Sequence, residues 1–148
     1  MKLRLYAPGH QNKYPHIYGP DKLLVDSFWT YNTIKFNSVA YDVPIGGFFD
    51  FQKVNIDKIN TDWEYLASFK IDMIGFQDDT IWITEFKHNS KPEGIGQLLV
   101  YQHLFEKHPL AIKNLKLLFV SYNMKTVIED VCKKFGIDTF SIWNYNII

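Results

Sequence analysis

Asp72, Glu85 and Lys87 are the residues whose types and spacing could carry chemistry. Two runs rich in β-branched and aromatic residues, 69–76 and 81–87, flank the polar break Gln77-Asp78-Asp79-Thr80, the pattern of a β-hairpin. With Asp78 and Asp79 at the tip, Gln77 pairs with Thr80, and continuing that register sets Asp72 opposite Glu85. Residues directly opposite in an antiparallel pair share a face, with Cβ atoms about 4.5–5.5 Å apart. Lys87 is two residues beyond Glu85 and joins that face. Opposed like charges repel, and buried charges cost several kcal/mol unless paired or metal-bound. A divalent cation between the two acids would resolve the conflict. An ion pair of Asp72 with Lys87 at the sheet edge would resolve it as well.

The next segment adds polar groups to this neighbourhood. Ser90-Lys91-Pro92-Glu93 has the S-x-x-E form of a capping box, with Pro92 in the first turn. A helix is expected from there to about Lys107, ending before Pro109. Gln97 and Tyr101 are four apart, hence on one helical face, and follow the hairpin closely enough to reach the strand end that bears Lys87. By themselves, Tyr101 reads equally as a half-buried aromatic and Gln97 as a solvated side chain.

Taken together, Asp72, the Glu85-Phe86-Lys87 tripeptide and the helix with Gln97-x-x-x-Tyr101 resemble the PD-(D/E)XK nuclease superfamily, and the Gln/Tyr helix resembles its RecB-like branch. The likeness spans about residues 65–143, with Ile71 where the superfamily's name has proline. It implies an α/β, restriction-endonuclease-like fold: a mixed β-sheet flanked by helices, an αβββαβ core followed by a further helix and strand. It also implies a metal-dependent nuclease, acting on DNA more than RNA. Asp72, Glu85 and the backbone carbonyl of Phe86 would hold Mg²⁺ or Mn²⁺, which favour oxygen ligands. Lys87 would orient the attacking water or steady charge on the phosphorane, Gln97 would position Lys87 or the phosphate, and Tyr101 would contact the nucleic-acid backbone. Some members take another acid from the helix before the sheet, for which Asp26 is the candidate; Asp42 and His88 are further candidates near the site. The resemblance extends to small stand-alone nucleases of phages and mobile elements. Two other readings remain: a catalytically silent nuclease-like module that binds nucleic acid or protein, and a homodimeric junction-resolving endonuclease; the assembly expected is a homodimer or a larger nucleoprotein complex.

Global properties narrow these readings. A length of 148 residues suits one domain, 1–148, with a core over about 21–143 and an edge strand and loop over 1–20. No apolar run approaches the ~20 residues of a membrane span, and no secretory core follows Met1, so a cytoplasmic protein without membrane contact is expected. The single cysteine, Cys132, excludes an internal disulfide, a cysteine zinc site and a cysteine-held iron–sulfur cluster, and reads as helix packing. Zero net charge counts against strong non-specific nucleic-acid binding, although residues 86–148 carry eight Lys against five acids. Arg4 is the only arginine, which disfavours bidentate reading of guanine.

The remaining elements frame the hairpin. Lys2–Tyr6 is expected as an edge strand and Ala7–Pro20 as a loop, in which His10 and His16 have no further paired ligand and the tyrosines either pin the loop or stack on unpaired bases. Asp21 is expected to cap a helix to Tyr31, with Leu24, Phe28 and Tyr31 inward. Strands are expected at Phe36–Ile45 (ended by Gly46-Gly47), from Trp63 to the hairpin after a polar stretch Asp50–Asp62, at Leu115–Tyr122 and at Ile137–Trp143. A helix over Met124–Phe135 is expected to bury Val127, Ile128, Val131, Cys132 and Phe135. Glu64 lies eight residues, about 26 Å of strand, from Asp72 and is excluded from the site.

Overall fold

The hairpin forms as its turn chemistry dictates. In the computed structural model, which describes residues 3–45, 69–107 and 114–145, strand β2 (Phe69–Gln77) turns through Asp78 and Asp79 into β3 (Thr80–Asn89). Asp78 adopts φ 51°, left-handed backbone that Asp tolerates better than most residues, and Asn37 accepts its N–H at 2.6 Å. The ladder runs from Gln77↔Thr80 to Met73↔Thr84, the register anticipated from the sequence. The expectations for Gly46-Gly47, Asp50–Asp62, Trp63, Glu64 and Pro109 lie outside the described residues.

Around this hairpin the sheet extends in the order β1-β2-β3-β4-β5. β1 (Ser38–Ile45) pairs antiparallel with β2, while β4 (Asn114–Asn123) runs parallel to β3 and β5 (Ile137–Ser141) parallel to β4. Parallel neighbours need crossover elements, and helices α2 (Pro92–Phe105) and α3 (Thr126–Lys134) stand between those strands in the chain. Both pack on one face: Ile95, Leu98, Tyr101, Ile128 and Cys132 share a buried cluster with Ile83 and Phe119. Helix α1 (Gly19–Tyr31) covers the other face, where Leu24, Val25 and Phe28 meet Trp82, Leu118 and Val120. β4 is therefore covered on both sides, which accounts for its unbroken apolar run. The result is the α/β fold expected, a mixed sheet between helices.

Alternation of side chains fails at one level of the sheet. Ala40 and Val43 lie in the α2-side cluster while Tyr41 lies in the α1-side one; likewise Ile71 and Ile74 point to α2 and Met73 to α1. A regular strand would send residues of equal parity to one face. The break falls at Asp42 and Asp72, which stand at equivalent positions between the pairs Tyr41↔Met73 and Val43↔Ile71. Asp42 takes φ 51° there, so the strand is kinked where two acids would otherwise oppose each other.

Several local expectations give way to tertiary contacts. The first residues form an isolated bridge, Tyr6↔Val39, in place of an edge strand. β1 begins at Ser38, and Phe36 instead lays its ring over Gly75. α1 starts at Gly19, with Pro20 in its first turn and Tyr18 as N-cap, so Asp21 is helical and not the cap. The capping box does not form: Lys91 is the N-cap of α2, and the Ser90 hydroxyl accepts the Lys125 N–H at 2.8 Å, tying the start of α2 to the start of α3. In α3, Ile128 and Cys132 are buried but Val127 and Phe135 are exposed, because nine residues give only a narrow inward stripe. The last strand ends at Ser141 and passes into a 3₁₀ turn, Ile142–Asn144.

Two buried serines close the carboxyl ends of the parallel strands. Ser121 Oγ donates to the His88 carbonyl and Ser141 Oγ donates to the Tyr122 carbonyl, joining β4 to β3 and β5 to β4 where each ladder ends. On the α2 side, close approach depends on Gly94: a Cβ there would meet the Phe119 ring at 2.4 Å, whereas one on Gly96 would meet nothing. Gly94→Ala is expected to destabilise the fold by ~1–3 kcal/mol through overpacking. Gly96→Ala should be neutral or stabilising by up to ~1 kcal/mol. Urea unfolding of the two variants checks the contrast, and equal midpoints would contradict it.

Candidate functional site

Where the β2–β3 ladder stops, a side chain takes its place. Beyond Met73↔Thr84, the backbone N–H of Phe86 donates to Asp72 Oδ2 at 2.9 Å, so the carboxylate sits in the gap between the strands. Glu85 is only 2% exposed and follows Ile83 onto the α2 face. Lys87 Nζ lies 3.2 Å from Glu85 Oε1 and is 34% exposed, reaching from the buried acid toward solvent. The bland alternative, an Asp72–Lys87 pair, is not what forms; the lysine pairs with Glu85.

Helix α2 supplies the back wall. Gln97 Nε2 donates to the Tyr101 hydroxyl at 3.3 Å, and Tyr101 is 3% exposed. Burial, followed by the nearby charges of Glu85 and Asp72, drives the Tyr101 hydroxyl far above the usual phenol range. Tyr101 thus faces the interior of the cluster and not a solvent-borne partner. Among the described residues, Glu85 Oε2, Gln97 Oε1 and Thr84 Oγ1 are buried without hydrogen-bond partners. Orphaned polar atoms of this kind are uncommon in native interiors and call for a physical cause.

For Glu85 Oε2 the cause is crowding of acids. Desolvation, and then the Asp72 charge, pushes Glu85 up to about 8; Lys87 pulls the other way but does not win. Asp72 is raised to about 6, chiefly by desolvation and against the Phe86 N–H and Lys87. With both groups ionised, neither can donate, and Glu85 Oε2 is left without a partner. A shared proton satisfies it, and so would a cation.

A cavity of about 210 Å³ opens onto Asp72 and is lined also by His16, Asp21, Val25, Phe86, Lys87 and His88. His88 Nε2 lies 2.7 Å from Asp21 Oδ1, and its ring packs against Tyr122. Asp21 is the residue that reasoning from sequence missed. Asp26 is turned away, bound to Lys22 at 2.7 Å and to the Tyr14 hydroxyl at 2.7 Å, and it does not reach the cluster. Five residues at 100° each carry Asp26 about 140° round the helix from Asp21. The available signal was Asp21 with Val25, one turn apart on the face that meets β3. Asp42 likewise stands apart, 3.7 Å from His16 and lining a different cavity. His10 lies 3.6 Å from Asp26, also outside the cluster. No group of three or more His, Cys, Asp or Glu is gathered for a metal among the described residues.

Fold and cluster together describe a mixed α/β protein with two acids, a lysine and a Gln/Tyr wall at the end of an antiparallel hairpin. No family model matches the chain, and no curated protein matches it. Among solved structures it is similar to a repair endonuclease from Pyrococcus abyssi, with a TM-score of 0.43 and 16% identity over 49% of this chain and 32% of that one. The chain thus spans about a third of that endonuclease's length. No helix is long and apolar enough to cross a membrane among the described residues.

The acids give a pH signature. Their folded values, about 6 and about 8, exceed the ordinary 3.8 and 4.5, so between about pH 4 and 8 the folded chain holds protons that the unfolded chain has lost. Stability from this pair is therefore largest at the acid end of that window and falls as pH rises. In chelator-treated protein the thermal midpoint is expected to decline from pH 5 to pH 8.5. Glu85→Gln should flatten the decline and raise the midpoint at pH 8.5 by about 2–4 °C per kcal/mol of repulsion relieved. Parallel profiles for the two proteins would contradict the crowding.

Proposed function

We propose that the chain is a metal-dependent phosphodiesterase of the PD-(D/E)XK type that cleaves nucleic acid, DNA more than RNA. The observation that carries this reading is the convergence of Asp72, Glu85 and Lys87 before a Gln97/Tyr101 wall, with a buried Glu85 oxygen left without a donor. Such an arrangement suits Mg²⁺ or Mn²⁺, hard cations that take carboxylate and carbonyl oxygens. Asp72, Glu85 and the Phe86 carbonyl would hold the ion. When bound, it would supply Lewis acidity to the scissile phosphate and to an attacking water.

The chain's own groups have distinct tasks. Lys87 pivots at the lip of the cavity, where its ammonium can leave Glu85 and meet the oxygens of a phosphate as negative charge builds on them. The Phe86 N–H fixes Asp72 in the gap between strands. The half-buried Gln97 and the buried Tyr101 are positioning residues that stand behind the acids and act through them. Asp21 and His88 form a hydrogen-bonded pair on the opposite wall, and an exposed histidine there suits a flanking phosphate. The carry-over from the resemblance thus keeps Asp72, Glu85, Lys87, Gln97 and Tyr101, and exchanges Asp26 for Asp21 as the acid lent by α1.

A second reading, a silent binding module, is favoured by the Glu85–Lys87 pair, which occupies the lysine and one of the two Glu85 oxygens without an ion. Two measurements separate them. Lys87→Ala is expected to lower cleavage of DNA by about 10²–10⁴-fold, the usual share of a group acting on proton transfer or charge in the transition state, while Mn²⁺ still binds by calorimetry. Asp72→Asn is expected to lose both. No cleavage of single-stranded, double-stranded or branched DNA or RNA with Mg²⁺ or Mn²⁺ would sink the enzyme reading. Full activity in Lys87→Ala would sink the role given to the lysine.

A further inference from the structure

Three cavities follow one another past Asp72 and share walls. The first, about 560 Å³, lies between the N-terminal arm and β1, and His16 lines both it and the cavity at Asp72. The third, about 310 Å³, is lined by Lys87, His88, Asn89, Lys91 and Glu93, the first two of which also line the cavity at Asp72. Asp72 thus stands between two neighbouring cavities with unlike linings. Lysines line the third cavity and no tyrosine does. The first is lined by Tyr6, Tyr14, Tyr18 and Tyr41 together with Arg4 and Lys13.

The first cavity is built as a place for flat rings and phosphates. Tyr14 and Tyr41 form its floor, edge to face at 5.1 Å between centroids. The Trp29 indole N–H donates to the Tyr41 hydroxyl at 2.9 Å, so this floor is braced from α1. Arg4, the only arginine, spans the Tyr6 ring at 5.2 Å. Tyr18 stands at the rim, 69% exposed, so its ring is accessible to a flat partner. His16 and Asp42, both in left-handed backbone at φ 54° and 51°, face each other at 3.7 Å in the lining. Strained backbone of this kind costs on the order of 1–3 kcal/mol per residue and clusters at binding sites. The volume is that of a small-ligand pocket.

We propose that this cavity is a stacking subsite for an unpaired nucleotide next to the phosphate at Asp72, with the exposed Tyr18 ring holding the base, the buried Tyr14–Tyr41 pair bracing the wall beneath it, and Arg4 and Lys13 holding its phosphate. The substrate then has a single-stranded portion on the N-terminal-arm side, while the lysine-lined cavity on the other side takes backbone phosphates alone. Aromatic stacking accepts any base, which suits a chain with one arginine and no net charge, since affinity need not come from charge. The subsite rests on the phosphodiesterase reading only for its neighbour, not for its own chemistry.

The test is binding without turnover. Fluorescence anisotropy of the whole chain in chelator would use labelled oligodeoxyuridylate, labelled oligouridylate and a DNA duplex of equal length. Single strands are expected to bind more tightly than the duplex, and whichever single strand binds tighter names the sugar. Tyr18→Ala and Arg4→Ala should each weaken single-strand binding, Tyr18→Ala by roughly 5- to 100-fold. Tyr18→Phe should restore it, which a folding defect would not allow. Val127→Ala, at an exposed position on α3, should change nothing. Equal affinity in wild type and Tyr18→Ala, tighter duplex binding, or no binding to either single strand would overturn the subsite. Cleavage with Mg²⁺ or Mn²⁺ is scored separately. Binding through Tyr18 without cleavage would sink the enzyme and keep the subsite, and duplex cleavage undiminished in Tyr18→Ala would do the reverse.

Discussion

One hydrogen bond governs how the acids meet: the Phe86 N–H donating to Asp72 at 2.9 Å. A regular antiparallel ladder would have used that N–H for a carbonyl and left Asp72 squarely across from Glu85. Instead the carboxylate replaces the carbonyl and the ladder stops, and Asp72 lines the α1-side cavity while remaining beside the buried Glu85, close enough for each charge to act on the other. The repulsion between the acids is moderated by this N–H and by Lys87, but not removed, as the raised values of both carboxyls attest. A site that holds two acids in poor solvation at some cost to stability is the usual companion of a task other than folding.

The rest of the chain reads as support for that bond. The turn at Asp78, pinned by Asn37, sets the register that brings residues 72 and 86 together. The two parallel crossovers bring α2 and α3 to one face, and Gly94 lets α2 sit close enough on Phe119 for Tyr101 to back the acids. α1 closes the other face through Leu24, Val25 and Phe28 and presents Asp21 to His88.

Much of this was legible in the sequence, and the failures have a common origin. The hairpin register followed from a two-residue polar turn between β-branched runs, and the gathering of Asp72, Glu85, Lys87, Gln97 and Tyr101 in one neighbourhood follows from register and helical spacing. The interior nature of β4 and the packing of Cys132 were equally readable. What sequence hid was any choice settled by a distant partner. Ser90 looks like a cap, yet its hydroxyl serves Lys125, thirty-five residues away. Asp21 looks like a cap, yet the helix begins earlier at Gly19, which leaves the Asp21 carboxylate free to meet His88 across the chain instead of closing the helix end. The kink at Asp42 leaves no mark in the pattern of apolar residues, because φ is not written in hydrophobicity.

The two flanks of Asp72 differ in how they are fastened. On one side the hydroxyls of Ser121 and Ser141, joined by that of Ser90, lace the strand ends together from within. On the other, the N-terminal arm is held by the Tyr6–Val39 bridge and by rings, with Tyr6 and the buried Tyr14 both set edge-on against Tyr41. One flank is thus stitched by hydroxyls and the other riveted by aromatic packing, so stripping the serine oxygens would loosen the first and spare the second.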